Sequence, residues 1–228
     1  MAKDLKGKGK ATNLSTFEIL RALYFSGKVK PSLNKILVEL ENDPENLDLT
    51  LLACQCFLRG KDFENLSVYA DKAIALDATC AKAYFYKGEA HQHLKGKEQE
   101  SLKNFDEALA LDEENILFLK SKATTHLLLF KDYQLPIKFA EKHRDKGEEC
   151  ILKIISIIEA KETPDYIDYF TLGDVSMTLN RNVDAKMYYI KSVNAFETTK
   201  EDERDMNIYK DLIKAQKACI RLLAKFTE

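Results

Sequence analysis

Tryptophan is absent from this chain, and proline occurs only four times in 228 residues. With just eight glycines beside them, few residues are present to break a helix, and collagen-like or proline-rich low-complexity architectures are excluded. No run of eighteen apolar residues occurs, so no segment reads as a membrane-spanning helix. A secretory leader is not expected either, because the first apolar stretch follows a Lys/Gly tail and is interrupted by Glu18 and Arg21. An excess of one charge is missing too. Lys and Arg number 35 against 37 Asp and Glu, a net charge of −2, which argues against a nucleic-acid surface. Glycine-rich phosphate loops, HExxH and GxSxG are all absent, so the chain is expected to be no enzyme, with no catalytic residue and no cofactor. The five cysteines (Cys54, Cys56, Cys80, Cys150 and Cys219) are odd in number and lack a tight framework. They point to reduced thiols in the cytoplasm, or in the nucleus.

What is present is a repeat. DKAIALD begins at Asp71 and DEALALD at Asp106, an offset of 35 residues that Leu49 and Tyr84, Ala53 and Gly88, and Ala70 and Phe105 also keep. A fixed period of this size means one supersecondary unit stacked on copies of itself. Residues 1–12, with Lys3, Lys6, Lys8 and Lys10 and no bulky apolar cluster, read as a disordered basic tail. From 13 to 199 the apolar residues fall at helical spacing in pairs of segments. The expected units are 13–46, 47–80, 81–115, 116–146 and 164–199, with turns at Gly27, Gly60, Gly96 and Asn180-Arg181-Asn182. In the fourth unit the second helix is expected to run out in HRDKGEE, followed by an extra apolar helix near 149–160. Residues 200–228 read as a charged linker and an amphipathic capping helix over about 206–226, which would cover the last pair's apolar face.

Successive units fill the same slots. A large position holds Leu49, Tyr84, Leu119 and Tyr169; a small one, four residues on, holds Ala53, Gly88, Ala123 and Gly173. Later slots hold Leu66, Ser101, Pro136 and Ala185, then Ala70, Phe105, Ala140 and Tyr189, then Ala73, Ala108, His143 and Ser192. Small residues belong where the helices of a pair cross closely, and large ones between pairs. The pattern resembles the tetratricopeptide-repeat (TPR) family and is densest over 47–115 and 165–196. It departs from the family in lacking tryptophan, in longer turns at Gly60 and Gly96, and in the decay of the fourth unit. The resemblance implies an all-α fold: an αα-superhelix, or TPR solenoid, of about five helix pairs.

It also implies a mode of action, in which the first helices line a concave groove that holds a peptide or helix of a partner protein. The matching positions are Phe17, Arg21 and Tyr24; Leu51, Cys54 and Phe57; Lys82, Phe85, Tyr86, Glu89 and His93; and Lys120 and Thr124 with their neighbours. The family's carboxylate clamp for chaperone tails is not matched. Thr50 and Cys54 stand at its lysine and asparagine places, Tyr86 and Ser121 at later donor places, and Lys82 alone fits. One lysine does not offset the desolvation of a carboxylate. The aromatics have a second reading, since aromatics at helical spacing also build cores, and a helix of the chain itself would fill such a groove.

No metal site is expected. His91 and His126 occupy equivalent places and His93 is near, but no cysteine or carboxylate accompanies them at ligand spacing. Cys54 and Cys56 diverge by about 200° on a helix, too far to chelate together. The expected function is a protein-binding adaptor or scaffold acting within a complex. The alternative is a structural subunit held through its convex face or terminal helices.

Overall fold

A computed structural model describes residues 15–132, 135–199, 213–215 and 217. The basic tail at 1–12, the linker and most of the capping segment lie outside the described residues. All ordered secondary structure among the described residues is helical, as the repeat implied. The chain divides into two units, 1–111 and 112–228.

The first unit holds three helix pairs: α1 (Thr16–Phe25) with α2 (Val29–Asn42), α3 (Leu47–Gly60) with α4 (Phe63–Leu76), and α5 (Ala81–His93) with α6 (Glu98–Leu111). Their starts are written locally. Ser15 and Glu18 form a capping box, Asn46 accepts from the Leu49 amide, and Asp62 accepts from the Asn65 amide. Each helix packs on the next, and the first helices also touch in series, α1 on α3 and α3 on α5. The turn inside the second pair differs from expectation. Gly60 is still helical, and the left-handed position belongs to Lys61 at φ 58°. The Asp62 amide then closes the helix end by donating to the Phe57 carbonyl at 3.0 Å, and Lys28 does the same to Leu23 after Gly27.

Close crossing explains the small slot. A Cβ on Gly88 would stand 2.5 Å from Cε1 of Phe105, a ring with no solvent exposure. In both the first and third pairs a buried serine ties the second helix to the first: Ser32 Oγ donates to the Leu20 carbonyl and Ser101 Oγ to that of Gly88, both at 2.9 Å.

The second unit holds α7 (Ile116–Phe130), α8 (Ile137–Glu159), α9 (Tyr166–Thr178) and α10 (Asn182–Thr198). Asn115 caps α7 and an Asp165–Asp168 capping box opens α9. The expected break in the fourth unit, with a separate helix near 149–160, is corrected: α8 runs unbroken from Ile137 to Glu159. HRDKGEE is helical rather than a loop: Asp145, Lys146, Glu148 and Glu149 form the exposed polar face, while His143 and Gly147 turn inward. Ala140, Gly147, Cys150, Ile151, Ile154 and Ile158 continue one buried stripe at helical spacing. Gly147, the one glycine of α8, is the close-crossing point; a Cβ would meet the Leu127 side chain at 3.1 Å. Gly173 likewise lies under the Tyr189 ring, between α9 and α10. Residues 213–215 and 217 are helical, and Ala215 packs on the Ala185–Tyr189 core.

Candidate binding cleft

The exposed side of the first helices in the N-terminal unit forms a cleft of about 260 Å³. From α1 come Phe17, Arg21 and Phe25, spaced by four residues and therefore on one face. From α3 come Asp48, Leu51, Leu52 and Gln55, and from α5 comes Lys82. Phe17, Leu51 and Gln55 are half-buried, while Arg21, Asp48 and Lys82 are exposed. The Arg21 guanidinium lies 5.6 Å from the Phe25 ring centre, a cation–π contact that leaves its N–H groups available. Tyr86, on the same helix as Lys82, is buried, and that burial pushes its hydroxyl's pKa up.

Of the groove positions that the resemblance implies, Phe17, Arg21, Leu51 and Lys82 line this cleft. Tyr24 is half-buried, with the Arg59 guanidinium 5.2 Å from its ring centre and Arg59 Nη1 donating to its carbonyl at 3.3 Å. Phe57, Phe85 and Tyr86 are corrected. At 5%, 4% and 6% exposure they are core residues, not an open aromatic face. Phe57 packs on Tyr69 of α4 at 5.0 Å between ring centres, and Phe85 on Phe105 of α6 at 6.1 Å. Glu89 is half-buried. His93 is exposed, yet it stacks on Phe63 of α4 at 4.2 Å, so its ring is engaged on the preceding pair.

Lys120 and Thr124 belong to the second unit. Lys120 Nζ pairs with Asp174 Oδ2 at 2.9 Å, and Tyr189 Oη donates to the other oxygen of that carboxylate at 3.0 Å. Thr124 is exposed and donates to the Lys120 carbonyl. The places of the absent carboxylate clamp are core as well: Thr50 is buried and donates to the Asn46 carbonyl, and Cys54 has no exposure.

Asp48, Gln55 and Phe25 were missed in the sequence. A signal for Asp48 did exist: Phe17, Asp48 and Lys82 each stand two residues after a helix N-cap (Ser15, Asn46 and Cys80). They therefore recur at one position of the first helix.

Among the described residues no three His, Cys, Asp or Glu side chains come together in a way that could hold a metal ion. His91 is buried between Ser67 Oγ at 3.5 Å and Asn104 Nδ2 at 3.3 Å. His126 and His143 share an Nδ1···Nδ1 hydrogen bond of 2.9 Å between α7 and α8. Burial, then the nearby lysines, pushes the pKa of both His91 (Lys97, Lys87) and His143 (Lys146, Lys142) down. Cys54, Cys56 and Cys150 are buried free thiols, and burial pushes Cys54 up to about 12. Among the described residues no helix is long and apolar enough to cross a membrane.

No family model matches the sequence. The chain is 24% identical over 155 residues to tetratricopeptide repeat protein 12 of Mus musculus, covering 65% of this chain and 21% of that protein. It thus spans about a fifth of the length of that relative. A thermophilic TPR protein of Thermus thermophilus superposes with a TM-score of 0.66 at 13% identity, over 87% of this chain and 96% of its own. MamA superposes with a TM-score of 0.52 at 18% identity, over 82% and 97%. The helix pairs of this chain have the tetratricopeptide-repeat fold, an αα-superhelical architecture.

Proposed function

We propose that this chain, with its tetratricopeptide fold, is a non-catalytic adaptor that binds a peptide or helix of a partner protein along the first-helix face of its N-terminal unit. The observation that carries this reading is the cleft among α1, α3 and α5. There, on the first-helix face, half-buried Phe17 and Leu51 meet exposed Arg21, Asp48 and Lys82 in a concavity. Its small volume suits side chains of a protein ligand rather than a nucleotide or cofactor. Free cysteines among the described residues fit an adaptor of the cytoplasm or nucleus.

Crosslinked purification of the tagged chain, beside a Leu51→Arg variant, tests the reading. Leu51 is half-buried at the cleft wall, so the longer charged side chain blocks the cleft while reaching solvent. The expected outcome is loss of a partner from a variant whose helical signal and melting are unchanged. A partner retained at wild-type level refutes groove binding.

One observation favours the second reading, a structural subunit gripped from outside. Val183, Met187 and Ile190 stand on one face of α10 at 71%, 43% and 40% exposure, opposite its buried residues Ala185 and Tyr189. Met187→Glu with Ile190→Glu would then release the partner that Leu51→Arg retains.

A further inference from the structure

We infer that the cleft of the N-terminal unit selects a partner segment carrying a single acidic side chain beside an apolar one. This inference rests on the groove reading above and specifies its ligand. Arg21 and Lys82 reach the same cleft from α1 and α5, and neither joins an ion pair among the described residues. Three other lysines do have an internal counter-charge: Lys87 pairs with Asp71, Lys120 with Asp174, and Lys161 with Asp168. Two cations left without a carboxylate at the rim of a concavity are the charge pattern that recruits one from outside.

Asp48 limits the ligand's charge. It lies in the first turn of α3, where the helix N-terminus offsets part of its charge, and it leaves the cleft with a net excess of one cation. A polyacidic segment would set its further carboxylates against Asp48, whereas one acidic residue would not. Phe17 and Leu51, both half-buried, supply apolar surface beside the cations, so the acidic residue must have an apolar neighbour to fill the site. Gln55, half-buried, adds a polar group on the same wall. The occupant is therefore an acidic–apolar protein segment, recognised through a side-chain carboxylate.

The test presents the full chain to an array of random synthetic peptides with acetylated and amidated ends, so that side chains are the only carboxylates. Bound peptides should be enriched in a lone Asp or Glu adjacent to an apolar residue. In fluorescence anisotropy, changing that acid to its amide should weaken binding about tenfold, the combined effect of two partly exposed ion pairs. The Arg21→Glu, Lys82→Glu double variant should lose the acidic peptide and bind its Lys-substituted counterpart instead. Bound peptides without acidic enrichment, or equal binding of the acidic peptide by the double variant, overturn the inference. In either case loss of those peptides from Leu51→Arg leaves the groove reading standing, and their retention ends both. An array that captures no peptide at all counts against both.

Discussion

Replacing Gly88 with alanine puts the crossing of α5 and α6 to a quantitative test. The new Cβ would lie 2.5, 2.7 and 3.0 Å from Cε1, Cδ1 and Cζ of Phe105, where carbon atoms normally rest about 3.5–4.0 Å apart. About 1 Å of movement is needed, and Phe105 has no exposed surface into which to retreat, with Phe85 packed beside it. Alanine gains about 1 kcal/mol of helix propensity over glycine. Overpacking a close-fitted core costs about 1–3 kcal/mol, and more when a buried ring meets the inserted atom. Because the approach is this short and is made by a ring rather than a flexible chain end, the clash should win, with a net loss of about 1–2 kcal/mol. Urea unfolding followed by circular dichroism reads the loss as a lower midpoint at unchanged slope. Gly60→Ala is the control: that helical position has nothing within 4 Å of its Cβ and should be neutral or stabilising. Adding Phe105→Leu to Gly88→Ala should cost less than the two single changes summed, because the smaller side chain vacates the contested space. A Gly88→Ala protein as stable as the wild type, or an additive double variant, would refute the packing argument.

Lys61 holds a left-handed conformation that costs an L-residue about 1–2 kcal/mol, and Lys61→Gly should recover about 1 kcal/mol as a raised midpoint. Thermal stability should fall as pH drops below about 6.5, the ordinary histidine value. The folded protein lowers the pKa of His91 and His143, so the unfolded chain binds protons more readily there and gains with acid, while above that range both states are neutral and nothing is lost. Melting temperatures measured across this range should show a shallower acid-side slope in His143→Gln than in the wild type. Iodoacetamide footprinting of the native protein should modify Cys80 well before Cys54, whose thiol is buried and raised to about 12; labelling of Cys54 at the rate of the unfolded chain would contradict its placement.

The helix pairs were legible because the small and large slots recur at a fixed offset, and a slot occupied by glycine opposite a ring has one geometric meaning. Two misreadings share a different cause. HRDKGEE looks like a loop because it is charged and holds a glycine, but charge marks only the outer face of α8, and Gly147 serves the inner one. The aromatics of α3 and α5 looked like ligand surface because groove and core occupy neighbouring faces of the same helix. Phe57 and Phe85 fall on the core side only once α4 and α6 are in place with Tyr69 and Phe105. Spacing along one helix does not report the position of the next. Arg21 and Lys82 are exposed at the cleft as the spacing suggested, whereas Lys120, at the same kind of position, is half-buried against Asp174.

Lys120 shows what a cation looks like when its carboxylate is supplied from within. Asp174 is steered by the Tyr189 hydroxyl, and the Tyr189 ring is itself wedged over Gly173, so the counter-charge is anchored in the core of its own unit. A tethered group of this kind acts at an effective concentration on the order of millimolar or above. A free acidic ligand at micromolar concentration would be outcompeted for that lysine about a thousandfold. Self-occupancy would thus act as a filter on the proposed reading: Lys120 is silenced from within its own unit, and an acidic partner would be directed to Arg21 and Lys82, which no ion pair among the described residues engages.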